Sequence, residues 1–343
     1  MKKLDTNKVY VNFTMPVFNR YFATQKSLLE LRKTETSVNY KITVVDNGSD
    51  EKLVNKLKEF YSIGIIDKLF LLQKNMGIAC ACNIGWKMTP ADFYCKIDND
   101  TMPIGRDWLT RLFSLWSHGD KYSNIGYAEN TKILCSNPNY IKSSDGILGI
   151  CDSTLAGTGI FIPKIVSDVL GYWNDEYGLY GAEDGDYGVR MRYLNIIQYY
   201  YLRESFIRYD LDKLDDAQYL DHGLDKSKEL DSFKKNSKGY FGRFGLNSYL
   251  FNYNIRTPKV CQKYEIDDID NNIVHLRENK RYKLVNKALE VCSDLLMNAH
   301  KSYGEGGLYN PVIIEKMKSI MKDCGEDVDT FSKNLEVMTA SIP

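Results

Sequence analysis

The sequence predicts an α/β fold: a mostly parallel sheet flanked by helices, followed by a helical C-terminal extension. Two observations carry this reading. Four units of a short apolar run followed by an amphipathic stretch lie between residues 9 and 117, the pattern of strand and crossover helix. The character then changes after about residue 225, where a Lys-, Ser- and Gly-rich segment leads into stretches with helical spacing.

The first unit is Val9–Val17, rich in β-formers, ending at Pro16-Val17-Phe18-Asn19 and followed by helical spacing over 20–33. Ile42-Thr43-Val44-Val45 reads as a strand buried on both faces. It ends at Asp46-Asn47-Gly48-Ser49-Asp50, where Asn-Gly turns the chain and Ser49 or Asp50 caps a helix over 51–61. Leu69–Leu72 and 77–88 form the third unit. Phe93–Ile97 is the fourth strand, closed by Asp98-Asn99-Asp100 and followed by a Trp- and Leu-rich helix over 106–117. Residues 123–163 read as strands and loops, and 172–195 as a Trp/Tyr/Gly loop, Glu183-Asp184 and a helix through Arg192. Residues 225–247 read as a mobile loop. Leu284, Ala288, Val291 and Leu295 recur at i, i+4, i+7 and i+11, which predicts a helix over 276–300 buried on that face. A last helix fits 310–323. There are no internal repeats.

Length and composition bound the function. The 343 residues allow two domains, or one large domain with an extension, at about 150 residues each. With 43% apolar and 26% charged residues the chain is globular rather than disordered. Lys+Arg and Asp+Glu both number 45, so no global positive charge marks a nucleic-acid binder. The 25 tyrosines are unusual and suit binding of sugars or bases, since each ring offers an apolar face and a polar tip. The eight cysteines form no C-x-x-C pair and have no zinc-finger spacing to histidine, so they read as core residues in a reducing compartment. No apolar stretch is long enough to cross a bilayer, and Met1-Lys2-Lys3-Leu4-Asp5 opens no secretory signal. The expected location is intracellular, in the cytoplasm.

In open α/β sheets ligands bind beyond the carboxyl ends of the strands. That rule singles out Asp46, Asn47, Asp98 and Asp100. The Asp98-Asn99-Asp100 pattern can share a divalent cation with a polyphosphate, and oxygen ligands favour Mg²⁺ or Mn²⁺. The same residues also suit an ordinary strand-end turn. Glu183-Asp184 begins a helix beside Gly181 and Gly185. Such a pair stabilises a helix dipole, and it can also face a ligand that approaches the backbone closely.

Together these pieces resemble the family 2-like glycosyltransferases of the GT-A fold, a Rossmann-like domain with a mixed sheet. The resemblance runs in order from about residue 9 to 195. It comprises Met15-Pro16-Val17-Phe18-Asn19-Arg20, Val44-Val45-Asp46-Asn47-Gly48-Ser49 and Asn75-Met76-Gly77-Ile78-Ala79 through Asn83-Ile84-Gly85. It continues with Ile97-Asp98-Asn99-Asp100, Gly157-Thr158-Gly159, and Gly181-Ala182-Glu183-Asp184-Gly185-Asp186 running into Arg190.

The resemblance implies a donor site for a nucleotide sugar, usually a UDP sugar. The backbone around Pro16 and Val17 and the Asp46 carboxylate would hold the base and ribose, with Asn19 and Asn47 in the same donor site. Asn75, Gly77 and Asn83 fall in the segment lining nucleotide and phosphates. Asp98, with Asn99, would face the ribose or donor sugar, Gly159 belongs to the same site, and Asp100 would ligate the Mn²⁺ or Mg²⁺. His222 is a candidate third ligand, since several GT-A enzymes place a His there. By the same resemblance Asp184 is the candidate general base and Glu183 orients a hydroxyl, with inversion at the anomeric carbon expected.

The implied organisation is a glycosyltransferase domain over 1–245, with a nucleotide-sugar half (1–120) and an acceptor half (121–245), and a mainly helical extension over 246–343. The Gln-x-x-Arg-Trp motif of processive synthases is absent. The expected acceptor is a glycan or a cell-surface polysaccharide precursor. One alternative is a phage-type enzyme acting on hydroxymethylated bases in DNA, suggested by the Lys-rich segment at 226–243 and the basic run Arg277, Lys280, Arg281, Lys283 and Lys287. Another is a nucleotide-sugar or glycan-binding protein without turnover, against which the presence of both Asp100 and Asp184 speaks. A dinucleotide dehydrogenase is disfavoured because no G-x-G-x-x-G follows the first strand.

Overall fold

The computed structural model describes residues 9–120, 122–126, 139–144, 146–151, 155, 157–201, 207–209 and 226–333. The nucleotide half is built from β1 (Tyr10–Val17), α1 (Tyr21–Arg32), β2 (Asn39–Asp46), α2 (Glu51–Ser62), β3 (Lys68–Leu71), α3 (Ile78–Met88), β4 (Phe93–Lys96), β5 (Thr101–Pro103) and α4 (Trp108–Trp116). Asp50 caps α2 by accepting from Leu53 N at 2.8 Å, as the sequence predicts. The chain continues through β6 (Asn124–Gly126), β7 (Tyr140–Ser143), β8 (Gly146–Cys151), β9 (Ile160–Pro163), α5 (Lys164–Leu170), α6 (Glu183–Tyr193), β10 (Gln198–Tyr201) and β11 (Ile207–Tyr209). The last part holds α7 (Lys226–Asn236), α8 (Arg243–Asn252), β12 (Tyr264–Asp270), β13 (Ile273–Glu278), α9 (Lys280–Tyr303) and α10 (Pro311–Asp323).

Among the described residues one sheet has eleven strands in the order β12-β13-β3-β2-β1-β4-β9-β6-β10-β8-β7. The strands β3, β2, β1 and β4 are parallel, while β9 runs antiparallel to β4 and to β6. Val17 sits opposite Asp46, and Asp46 opposite Leu71, so the polar strand ends line up on one edge.

Side-chain alternation along β1 explains the layers. Val11, Phe13, Met15 and Val17 join the core formed with Leu28, Leu31, Leu53, Leu57 and Trp108 from α1, α2 and α4. On the opposite face, Asn12 Nδ2 donates to Gly85 O and Thr89 O, and Thr14 packs so tightly on α3 that a Cβ at Gly85 would lie 2.4 Å from its Cγ2. A second core there gathers Trp86, Tyr94, Trp173, Tyr187 and Met191, with Trp86 stacked on Tyr94 at 4.8 Å between centroids.

The C-terminal part corrects three expectations. Residues 226–236 form a helix rather than a loop. Asn236 Nδ2 at its end donates to the carbonyls of Tyr177, Tyr180 and Gly181, and Phe233 packs on Gly181. Residues 264–278 form a hairpin that joins the sheet beside β3, with Ile273 paired to Leu71. In α9 the buried stripe is Val285, Ala288, Leu289, Cys292 and Leu296, so of the expected face Ala288 is buried, whereas Leu284 and Val291 are 58% and 47% exposed. No described helix is long and apolar enough to cross a membrane.

Candidate active site

The site forms where β1, β2 and β4 end. Asn19 and Arg20 follow β1 with left-handed backbones, φ 54° and 59°, a strained conformation for non-glycine residues. Hydrogen bonds on three sides impose it. Asn19 N donates to Ser49 Oγ at 2.9 Å, and Asn19 Oδ1 accepts from Asp50 N at 3.0 Å. Asn99 Nδ2 donates to Asn19 O at 3.2 Å and to Thr24 Oγ1 at 2.8 Å. Asn19 and Asn99 thus tie three strand ends together, and Arg20 is turned onto Asp100 Oδ2.

Asp46 is buried at the end of β2. Its Oδ2 accepts from Gly48 N and Ser49 N, both at 3.2 Å, while its Oδ1 has no hydrogen-bond partner. Burial pushes its carboxyl up to about 6 against the pull of those donors. Asn47 Nδ2 donates to Asn75 Oδ1 at 2.8 Å, and Asn47 Oδ1 accepts from Met76 N at 2.8 Å. Asn75 Oδ1 also accepts from Gly77 N at 2.9 Å. Gly77 has φ 93° and approaches Gly178 so closely that a Cβ would sit 2.0 Å from its carbonyl oxygen, which brings the start of α3 against the loop leading to α6.

Three further sequence candidates have buried side chains. Pro16 and Val17 have buried side chains within β1, so only their backbone and the residues after them face the edge. Asn83 bonds to the backbone of Trp173, giving at 2.8 Å and accepting at 2.9 Å, and its amide also donates to Gln262. Its side chain ties α3 to the loop before α6.

The D-x-D segment is held from the other side by the glycine-rich stretch. Asp98 N donates to Thr158 Oγ1 at 3.0 Å, which lies 3.0 Å from Thr101 Oγ1. Gly159 adopts φ 61° just before β9. Asp100 Oδ1 is buried with no hydrogen-bond partner. Burial and the neighbouring Asp98 charge push Asp100 up to about 6, against the pull of Arg20.

Sequence reasoning missed Lys96. The residue is 1% exposed, and its ammonium lies 2.6 Å from Asp98 Oδ1 and donates to Gly157 O. Asp98, Glu183 and the bond to Asp98 hold it protonated, well above the usual lysine range, despite burial. A Cβ at Gly157 would lie 3.3 Å from Lys96 Nζ and 3.2 Å from Asp184 Cβ, so the lysine and Asp184 flank the same glycine. The available signal was a charged residue inside an apolar strand, two positions before Asp98 and hence on the same side.

Glu183 and Asp184 open α6 behind Ala182, whose φ of 77° is left-handed. Asp184 Oδ1 accepts from Gly185 N at 2.7 Å. Glu183 is buried, and its Oε2 has no hydrogen-bond partner. Burial and the Asp184 charge push it up to about 7, with Lys96 pulling back. Asp186 is different: it accepts from Arg190 Nε at 2.6 Å and from Tyr177 Oη at 2.8 Å in a buried network. Nearby, Arg256 pairs with Glu176 at 2.7 Å, both side chains fully buried, and so ties the extension to the loop before α6.

His222 lies outside the described residues. Among the described residues no group of three or more His, Cys, Asp or Glu side chains is arranged to hold a metal ion. The basic run is partly neutralised: Arg277 pairs with Glu265 at 3.2 Å and Asp267 at 3.6 Å, and Lys283 with Glu278 at 3.1 Å.

Residues 13–132, which hold the ends of β1, β2 and β4, match the model of Glycosyl transferase family 2. This segment of the chain, about a third of its length, is thus similar to that family. Among solved structures, the chain is similar to TarS of S. aureus at 15% identity and a TM-score of 0.47, over 71% of this chain and 47% of that one. It is similar to GalNAc-T7 with UDP, GalNAc and Mn2+ at 12% identity and a TM-score of 0.48, over 57% of this chain and 43% of that one. It is similar to the mannosyltransferase PcManGT from Pyrobaculum calidifontis in complex with GDP-Man and Mn2+ at 10% identity and a TM-score of 0.42, over 94% of this chain and 88% of that one. The chain thus spans less than half the length of the first two. No curated protein is significantly similar to it.

Proposed function

We propose that the protein is a glycosyltransferase that moves a single sugar from a UDP-type nucleotide sugar to the hydroxyl of a glycan or polysaccharide precursor in the cytoplasm, with inversion. The observation that carries the reading is a set of three buried carboxylate oxygens without hydrogen-bond partners, on Asp46, Asp100 and Glu183. Buried polar atoms are normally satisfied, so orphaned ones in a site point to a ligand that satisfies them. Asp46 suits a ribose or base donor group, and Asp100 suits a cation.

The acidic pair fits a divalent metal. Asp100 offers a free lone-pair oxygen, Asp98 lies two residues away, and His222 is proposed as a further ligand. A Mn²⁺ or Mg²⁺ held there would offset the charge developing on the leaving diphosphate. Arg20, which contacts Asp100, supplies a second positive charge on that side. Lys96 holds Asp98 in place through their ion pair.

In the transfer, the acceptor oxygen bonds to the anomeric carbon as the bond from that carbon to the diphosphate breaks. The diphosphate leaves with the electron pair, and Asp184 takes the acceptor proton. Glu183 orients the hydroxyl through its unpartnered oxygen. Asp186 is committed to Arg190 and Tyr177 and is not a base candidate.

We propose the boundaries 1–120, 121–245 and 246–343 as functional divisions rather than independent folding units. The hairpin from the extension pairs with β3, and Arg256 is buried on Glu176. The nucleic-acid alternative draws less support, because part of the basic run is spent on neighbouring carboxylates.

The test is a hydrolysis screen of nucleotide sugars with and without Mn²⁺, followed by glycan acceptors and hydroxymethylated DNA. A UDP sugar should be cleaved in a cation-dependent way and passed to a glycan. Preference for a non-uridine donor, or transfer to DNA alone, would overturn the corresponding part.

A further inference from the structure

A half-open cavity of about 580 Å³ lies where α8 meets the segment at 308–309, and none of the donor or acid–base groups line it; its volume is within the range of ligand sites, roughly 300–1,000 Å³. One wall is the face of α8 that carries Phe244, Ser248, Tyr249, Asn252 and Tyr253, and Tyr309 stands across from it. The spacing explains the face. Ser248 and Asn252 are four apart, as are Tyr249 and Tyr253, so hydroxyl and amide groups form one row beside a row of rings. The Tyr249 and Tyr253 rings lie 4.5 Å apart at 38°, and the Tyr309 ring meets Tyr253 edge-on at 6.3 Å. Tyr249 is fixed by donating its hydroxyl to Leu308 O. Tyr309 is 60% exposed, a large apolar surface left at the mouth.

Two features select the occupant. None of the lining residues is charged, which disfavours phosphate-bearing ligands such as nucleic acid, whose affinity rests on Lys and Arg. Aromatic faces beside hydroxyl and amide groups match a sugar ring, which has an apolar C–H face and an equatorial fringe of hydroxyls. The position connects the cavity to the transfer site. Phe244, one of its walls, lies against Gly185, where a Cβ would come within 3.1 Å of the ring, and Gly185 follows Asp184.

We propose that this cavity is a subsite for a neutral saccharide, holding the part of the acceptor beyond the hydroxyl that reacts. The link to the acceptor rests on the transferase reading above. The saccharide site itself rests on the rings and the uncharged lining. It would select among acceptors by contacts made away from the reacting atoms.

The experiment is saturation-transfer NMR on the full chain with neutral gluco-, manno-, galacto-, xylo- and N-acetylglucosamine tetrasaccharides, and with poly(glycerol phosphate). Wild type, Tyr309→Ala and the space-filling Ser248→Phe are compared, with UDP titrated into each. At least one tetrasaccharide should bind wild type and weaken about five- to tenfold in Tyr309→Ala, the scale of one lost aromatic contact. It should also weaken in Ser248→Phe, with UDP affinity unchanged in both. The proposal is overturned if no tetrasaccharide binds wild type, if both variants bind as wild type does, or if only the phosphate polymer binds. Saccharide binding without any UDP binding would overturn the uridine-donor part of the transferase reading and leave the subsite standing.

Discussion

Lys96 places its buried ammonium 2.6 Å from Asp98 Oδ1, beside the glycine that Asp184 also touches. One cation therefore serves the D-x-D segment and the acidic start of α6. A buried charge is tolerated only when paired, so the pair fixes the distance between the two halves of the site. Lys96→Met leaves Asp98 and Glu183 without their counter-charge. Loss of one partner of a buried pair costs about 3–5 kcal/mol, and partial exposure of Asp98 puts this case at the low end. Denaturant unfolding should show that loss, with transfer falling further than stability alone explains.

Asp184→Asn keeps the shape of the acidic residue and removes its basicity. Transfer should fall roughly 10²–10⁴-fold, with UDP affinity held within a factor of about two. Glu183→Gln should lower turnover less and weaken acceptor use. If Glu183→Gln is inactive while Asp184→Asn turns over normally, the two roles are exchanged.

The raised Glu183 value has a consequence for stability. Burial and Asp184 push this carboxyl from its ordinary 4.5 to about 7. A raised acid holds its proton in the folded state after the unfolded chain has lost it. Its contribution is therefore fully present below the unfolded value and is lost as pH rises through the folded one. Wild-type stability should decline relative to Glu183→Gln between about pH 4.5 and 7, then run parallel. Parallel curves across the whole range would contradict the assignment.

Asp46→Ala should weaken UDP binding by about 1.5–3 kcal/mol, the scale of a hydrogen bond to a charged group. Calorimetry checks this directly. Removing the side chain also frees Gly48 N and Ser49 N, so Asp46→Asn serves as the control for the turn itself.

Much of the first half was legible because its strands are buried on both faces and its turns carry Asn, Gly and Asp. The strand before Asp46 and the Asp50 cap are clear cases. The buried face of α9 was not, because two stripes one residue apart fit the helical period equally well. Leu284, Ala288, Val291 and Leu295 obey the same spacing as Val285, Leu289, Cys292 and Leu296, and packing buries the second set together with Ala288 while leaving Leu284 and Val291 exposed. Residues 226–236 look like a loop because they are mostly polar. They are helical where Phe233 and Asn236 bind the loop at 177–181, a tertiary cause without a local signal. In the site, residue types at strand ends revealed the carboxylates. Lys96 stayed hidden because a lysine within an apolar strand reads as an edge feature until its partners are seen.

The most direct measurement is a calorimetric titration of UDP into the full chain with Mn²⁺, repeated in excess chelator and with Asp100→Asn. The account predicts saturable binding that falls by at least about tenfold on either change, since the diphosphate loses its counter-charge. UDP binding of equal strength in all three conditions would contradict the metal-bridged donor site, and no binding in any of them would contradict the donor assignment itself.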